Sequence, residues 1–160
     1  WGDAAARFLA LYPAQTPQAS WLRAFRDQRF GWEMVRWADA TVAADQDAYV
    51  YFFAHHPPGP YREALRAYHA GEIRYVFDTI DLNPDATDAD RALADLMSAY
   101  WVSFAKDGDP NGEGLPPWPR WDSADRPHLV LDDGATVAEG LIDEATAFFD
   151  AAPPGAMTRR

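Results

Sequence analysis

The chain contains no cysteine. Disulfides, thiolate chemistry and cysteine-type zinc centres are therefore excluded, while the compartment stays open. No apolar run approaches the roughly 18–20 residues that a membrane span requires, so none is expected. The first residue is Trp1 rather than Met, and nothing near it reads as a signal peptide. The expectation is that the chain begins inside a longer protein. Lysine is scarce: Lys and Arg total 14 against 25 Asp and Glu, a formal net charge of −11. The arginines are scattered among acidic residues and make no basic stripe. Binding to nucleic acid or to an anionic membrane surface is disfavoured on that ground. Internal repeats and low-complexity segments are also missing.

What is present is apolar and aromatic. Hydrophobic residues make up 48% of the 160 positions, with seven Trp, seven Tyr and nine Phe. A disordered chain lacks such residues, because it cannot bury enough apolar surface to offset its conformational entropy. Asp3 to Leu11 predicts a short helix closed by Tyr12-Pro13, and Pro17 to Phe25 a second. After Asp27, the spacing of Phe30, Met34, Trp37 and Ala38 predicts a helix with one apolar stripe. Residues 48–54, Ala-Tyr-Val-Tyr-Phe-Phe-Ala, read as a strand buried on both faces, the kind a parallel sheet covered by helices requires. The clearest helix runs from Asp88 to Lys106. Thr87 and Asp90 stand at capping-box spacing, and Leu93, Leu96, Met97, Tyr100, Trp101 and Phe104 form its apolar face. His128 to Leu131 reads as a short strand, Glu139 to Asp150 as a last helix, and the tail from Pro153 as frayed. One buried strand with a single short companion is an odd inventory for a complete domain. The fold class is therefore read as α/β, mostly helical, part of a larger sheet whose other strands come from elsewhere.

Three segments invite a chemical reading. Asp107-Gly108-Asp109-Pro110-Asn111-Gly112 matches the opening of a calcium-binding loop, but the twelfth position is Trp118 where a bidentate Glu is needed. Pro116, Pro117 and Pro119 also forbid the exit helix. The alternative, a helix end followed by Asp and Asn turns, is preferred. His55 and His56 are adjacent, so in a strand they point to opposite faces and cannot share an ion. They read as a surface pair beside a proline loop, and His128 has no evident partner. His69 and Glu72 could share a helical face, but two ligands make no metal site; neither metal nor cofactor is expected. The third segment, Ala67 to Phe77, follows the strand by a loop, where α/β sheets place their chemistry. On position alone a structural His69 is favoured, with a general base as the alternative.

The order of motifs adds to that reading. Ala67-Tyr68-His69-Ala70-Gly71-Glu72-Ile73-Arg74-Tyr75-Val76-Phe77 resembles the segment Gly-Ala-Phe-His-Gly-x-Glu-Ile-Pro-Tyr-Val-Phe that surrounds the triad histidine of type B carboxylesterases, the cholinesterase-like branch of the α/β hydrolases. Val50 to Phe53 is similar to that family's final main-sheet strand, and Asp27 to Ala38 to its upstream Asp-x-x-Phe helix. Tyr100 to Asn111 is close to its Trp-x-x-Phe-Ala-x-x-Gly-Asp-Pro-Asn signature. Pro117-Trp118-Pro119 falls where the family has the same tripeptide. Arg66 and Ala70 stand where the family has Gly, and Arg74 where it has Pro.

The resemblance implies that residues 1–152 are the C-terminal portion of an α/β-hydrolase domain acting on a small carboxylic ester, with 153–160 a tail. His69 would be the catalytic general acid/base and Glu72 a supporting residue. The nucleophile is not expected here: none of Ser20, Ser98, Ser103 and Ser123 has a Gly two residues before it, as the Gly-x-Ser-x-Gly elbow demands. No Gly-Gly run offers oxyanion amides. Nucleophile, acid and oxyanion hole would lie in an N-terminal remainder of the same domain, and the chain alone is expected to be inactive. The rival readings are a non-catalytic cholinesterase-like adhesion module and an independent helical domain.

Overall fold

The computed structural model describes residues 4–151, so Asp3 and the tail from Pro153 lie outside the described residues. Two compact units are present. One is built from residues up to Gln46, Asp122–Arg126 and those from Gly140, the other from Asp47–Trp121 and Pro127–Glu139.

In the first unit, α1 (Ala4–Leu11) ends at Tyr12-Pro13, as proline's steric demand on the preceding residue predicts. Helix α2 (Pro17–Arg26) carries its proline in the first turn, where no amide hydrogen is needed. It continues through a π-helical stretch, Asp27–Trp32, into α3 (Glu33–Ala43). The core is Tyr12, Ala24, Ala145, Phe148 and Phe149. Asp27 is buried but satisfied: the Tyr12 hydroxyl donates to its Oδ2 at 3.1 Å and Arg26 Nε to its Oδ1 at 2.7 Å. Burial and the Asp27 charge hold the Tyr12 phenol far above its ordinary pKa. The predicted stripe is buried only at Ala38. Its Phe30, Met34 and Trp37 are exposed, and Val35, outside the stripe, is buried. Phe25 stacks on Trp21 at 5.5 Å and meets Phe30 edge-on at 6.2 Å, which extends the exposed apolar ridge. The last helix, α7 (Asp143–Ala151), starts later than the predicted Glu139. Gly140 and Ile142 adopt positive φ (71° and 48°), which a right-handed helix cannot continue through.

The second unit holds a three-stranded sheet of order β1-β2-β3. Strand β1 (Tyr51–Phe53) runs parallel to β2 (His128–Leu131), with Tyr51 opposite Leu129; β3 (Ala135–Ala138) returns antiparallel, with His128 opposite Ala138. The predicted 48–54 strand is thus shorter than expected, and its two-sided burial is corrected: Phe52 is 37% exposed. Among the described residues β1 is an edge strand, which leaves one side of the Tyr-Phe-Phe segment without sheet neighbours. Its start is pinned by Trp118, whose indole donates to the Val50 carbonyl at 3.1 Å, and by Trp121 N, which donates to Ala48 at 2.7 Å.

Two short helices, α4 (Arg62–Leu65) and α5 (Ile73–Val76), lie between β1 and α6 (Asp88–Asp107). The capping box at Thr87 and Asp90 forms as predicted, and Gly108 ends α6 at φ 74°. Leu93, Met97 and Tyr100 are buried with Tyr75, Trp118, Leu129 and Leu131, while Phe104 remains exposed. Tyr100 and Trp118 pack edge-to-face at 5.2 Å. The loop after α6 bonds internally. Asp109 Oδ1 accepts from Asn111 N (2.9 Å) and Nδ2 (2.7 Å), and Asn111 Oδ1 accepts from Trp118 N at 2.7 Å. The oxygens that a calcium loop would aim at an ion close a turn instead. No described helix is long and apolar enough to cross a membrane.

Candidate functional site

After β1 the chain passes Pro57-Pro58-Gly59-Pro60 and α4, then makes the turns that carry His69. Arg66 closes α4 at φ 53°, ψ −139°, and Ala70 sits at φ 69°. Gly71 N donates to the Tyr68 carbonyl at 2.9 Å, folding the chain back tightly. A Cβ at Gly71 would lie 2.9 Å from that carbonyl oxygen and 3.2 Å from Pro57 Cγ, so only glycine fits. His69 stands in this turn with its side chain exposed.

Glu72 is half-buried and caps α5, its carbonyl accepting from Tyr75 N and Val76 N at 3.0 Å each. His69 precedes α5 and lies in a turn, so the two residues do not share a helical face, contrary to the expectation from their spacing. The Glu72 carboxylate does act on β1: burial chiefly, and the Glu72 charge in addition, raise the Tyr51 phenol above its ordinary pKa.

A second polar constellation was not legible in the sequence. His55, expected at the surface, is 3% exposed. Its backbone N, like that of Ala54, donates to the Leu131 carbonyl (3.1 and 2.8 Å), which draws the segment after β1 against the end of β2. Its Nε2 lies 2.8 Å from Asp90 Oδ1, which also accepts from the Tyr75 hydroxyl at 2.7 Å. Asp90 Oδ2 accepts from Thr87 N at 2.9 Å and from the Thr87 hydroxyl. Burial pushes the Asp90 carboxyl up, but these hydrogen bonds prevail and hold it at about 2. Tyr75 is pushed upward by burial and by Asp90. Read from the sequence, Asp90 was a helix cap and nothing more. Its partners stand 35 and 15 positions away. His56 is half-buried, and His128 is buried at the start of β2.

A model of the carboxylesterase family matches residues 12–149. The chain belongs to the carboxylesterase family. Among its carboxylesterase relatives, carboxylesterase 5A of Canis lupus familiaris is 34% identical over 130 residues, covering 74% of this chain and 22% of that protein. The medium-chain fatty acyl-CoA hydrolase precursor of Anas platyrhynchos is 34% identical over 131 residues, covering 80% of this chain and 23% of the relative. Among solved structures, the Geobacillus stearothermophilus carboxylesterase EST55 matches with a TM-score of 0.75 at 28% identity, over 92% of this chain and 31% of the other. A PNB esterase matches with a TM-score of 0.74 at 27% identity, over 91% and 29%. These neighbours are α/β-hydrolase esterases, and this carboxylesterase-family chain has part of their fold. The chain spans about a fifth of the length of the curated relatives it matches. In this carboxylesterase-family chain, Arg66 and Ala70, where the resembling motif carries glycine, both sit at positive φ.

Proposed function

We propose that this chain supplies the histidine of a serine carboxylesterase, with His69 as general acid/base and the nucleophile, acid and oxyanion hole encoded upstream. The observation that carries the reading is the family match across 12–149, which contains the His69 segment, together with the presentation of His69 on an exposed turn. His69 accepts the proton as the serine oxygen bonds to the ester carbonyl carbon, then returns it to the alkoxide as the carbon–oxygen bond breaks and alcohol departs. Water repeats the sequence on the acyl-enzyme and releases the acid. An upstream carboxylate fixes the imidazole tautomer and stabilises its protonated form. Glu72 braces the turn through α5 and does not touch substrate. Residues 1–152 then form the C-terminal portion of one hydrolase domain that acts on a small-molecule carboxylic ester, with 153–160 as its tail.

The test pairs a fluorophosphonate probe with intact-mass analysis, on this chain and on a longer form that includes the upstream sequence. Only the longer form should label, and His69→Ala in it should lower ester turnover by about 10³-fold or more. Labelling of the short chain, or near-normal hydrolysis by His69→Ala, would overturn the assignment. A longer form that binds the probe nowhere points instead to a non-catalytic binding module.

A further inference from the structure

The two carboxylates at the turn between β2 and β3 have no part in the ester chemistry proposed above. Leu131 pairs with Ala135, and Asp132 N donates to Gly134 O at 3.0 Å, so Asp132 and Asp133 stand at the apex of a tight hairpin. Ala54 N and His55 N both bond to the Leu131 carbonyl, which places His55 directly beside that apex. His55 Nδ1 lies 3.5 Å from Asp133 Oδ1 and 3.9 Å from Asp132 Oδ1. The cluster sits at the carboxyl ends of two parallel strands, where open α/β sheets hold their ligands.

The hydrogen-bond inventory decides what can sit there. Asp90 accepts from Tyr75, from Thr87 N and from the Thr87 hydroxyl, so towards His55 it offers one more acceptor oxygen. Nε2 is therefore the ring nitrogen engaged by Asp90, and Nδ1 is the one that faces the hairpin. That nitrogen is buried and has no hydrogen-bond partner. Facing it are two carboxylates. A buried ring nitrogen without a hydrogen-bond partner and two carboxylates thus converge on one point, where a cation would be ligated by all three.

We propose that His55 Nδ1, Asp132 and Asp133 bind one divalent transition-metal cation, with water completing its coordination. The three ligand atoms lie within 4.8 Å of one another. Metal–ligand bonds of 2.0–2.2 Å at a tetrahedral centre put neighbouring ligands about 3.4 Å apart. The His55–Asp133 contact already has that span, and Asp132, which is exposed, lies about half an ångström too far from the ring nitrogen and can move towards it. Asp90 behind the ring acts as a positioning residue: an imidazole held by a carboxylate through its far nitrogen is how proteins orient metal-binding histidines. One nitrogen with two carboxylates suits Zn²⁺ or Mn²⁺, whereas Ca²⁺ and Mg²⁺ favour all-oxygen sites.

The test is calorimetric titration of Zn²⁺ into the purified chain, free of any affinity tag and stripped with chelator, with Mg²⁺ and Ca²⁺ run in parallel. One Zn²⁺ per chain should bind, and long-range ¹⁵N NMR should show the His55 Nδ1 resonance shifting on addition. Asp132→Asn/Asp133→Asn alters only exposed side chains and should weaken Zn²⁺ binding at least tenfold with the fold unchanged by circular dichroism. His55→Gln should abolish binding. No Zn²⁺ binding, binding unaffected by the double variant, or a proton retained on Nδ1 in the presence of Zn²⁺ would each overturn the proposal. The last result would make the cluster an imidazolium held among carboxylates.

Discussion

Arg66 ends α4 in a backbone region that residues with a side chain rarely occupy, at φ 53° and ψ −139°, and its replacement by glycine is expected to stabilise the chain. Conformations of this kind cost on the order of 1–3 kcal/mol each. Glycine removes that strain, but its greater freedom in the unfolded chain takes back about 0.4–1 kcal/mol. The net gain is therefore about 1 kcal/mol. Arg66→Ala is the proper comparison, because it removes the same guanidinium while keeping the Cβ that causes the strain. Urea unfolding followed by tryptophan fluorescence should place Arg66→Gly above Arg66→Ala by about 1 kcal/mol, or about 2–4 °C in a thermal scan for a chain of this size. An alanine variant as stable as the glycine variant would refute the reasoning. The turn conformation would then be tolerated by any residue, and the argument that it needs a glycine would fall.

Gly71→Ala should act in the opposite sense, since its Cβ meets the Tyr68 carbonyl at 2.9 Å. A loss of about 1–3 kcal/mol is expected, with slower probe labelling in the longer form because His69 sits in the same turn. Full stability in Gly71→Ala would show that the close approach is dispensable. Tyr100 yields a pH prediction. Burial pushes its phenol up to about 12, and its hydroxyl donates to the Pro116 carbonyl at 2.7 Å. Because the folded pKa is raised, the stabilisation is complete below the ordinary value near 10. It is lost as pH rises from there towards 12. Absorbance at 295 nm should therefore register this phenolate only alongside unfolding, and free titration near 10 in the folded chain would contradict the burial argument.

The sequence was most legible where a local rule sufficed. The capping box of Thr87 and Asp90 and the strand His128–Leu131 both formed where propensity and pattern placed them. The strand β3 was missed although Asp132-Asp133-Gly134 followed by Ala-Thr-Val-Ala carried a hairpin signal. Its four residues are too few and too small to stand out by hydrophobicity. The start of α7 was misplaced because the positive φ at Ile142 is a tertiary outcome rather than a preference of isoleucine. The stripe of Phe30, Met34 and Trp37 was visible as amphipathicity, but periodicity states only that a face is apolar, not what it meets. His55 illustrates the same boundary. The proline-rich stretch that follows it suggested a surface loop, while its burial depends on a carboxylate 35 positions downstream and on a strand end beyond residue 130. Long-range polar pairing leaves no periodic trace.

The parallel register of β1 on β2 also sets a schedule for biosynthesis. Tyr51 finds its sheet partner in Leu129, 78 residues later in the chain. At translation speeds of about 5–20 residues per second, Tyr-Phe-Phe emerges roughly 4–16 seconds before β2 can pair with it. A helix such as α6 can form as it leaves the ribosome, but the β1–β2 pairing has to wait. For that interval the edge of this aromatic, β-prone segment that β2 will cover stays open to other strands, which makes it a natural client for a chaperone.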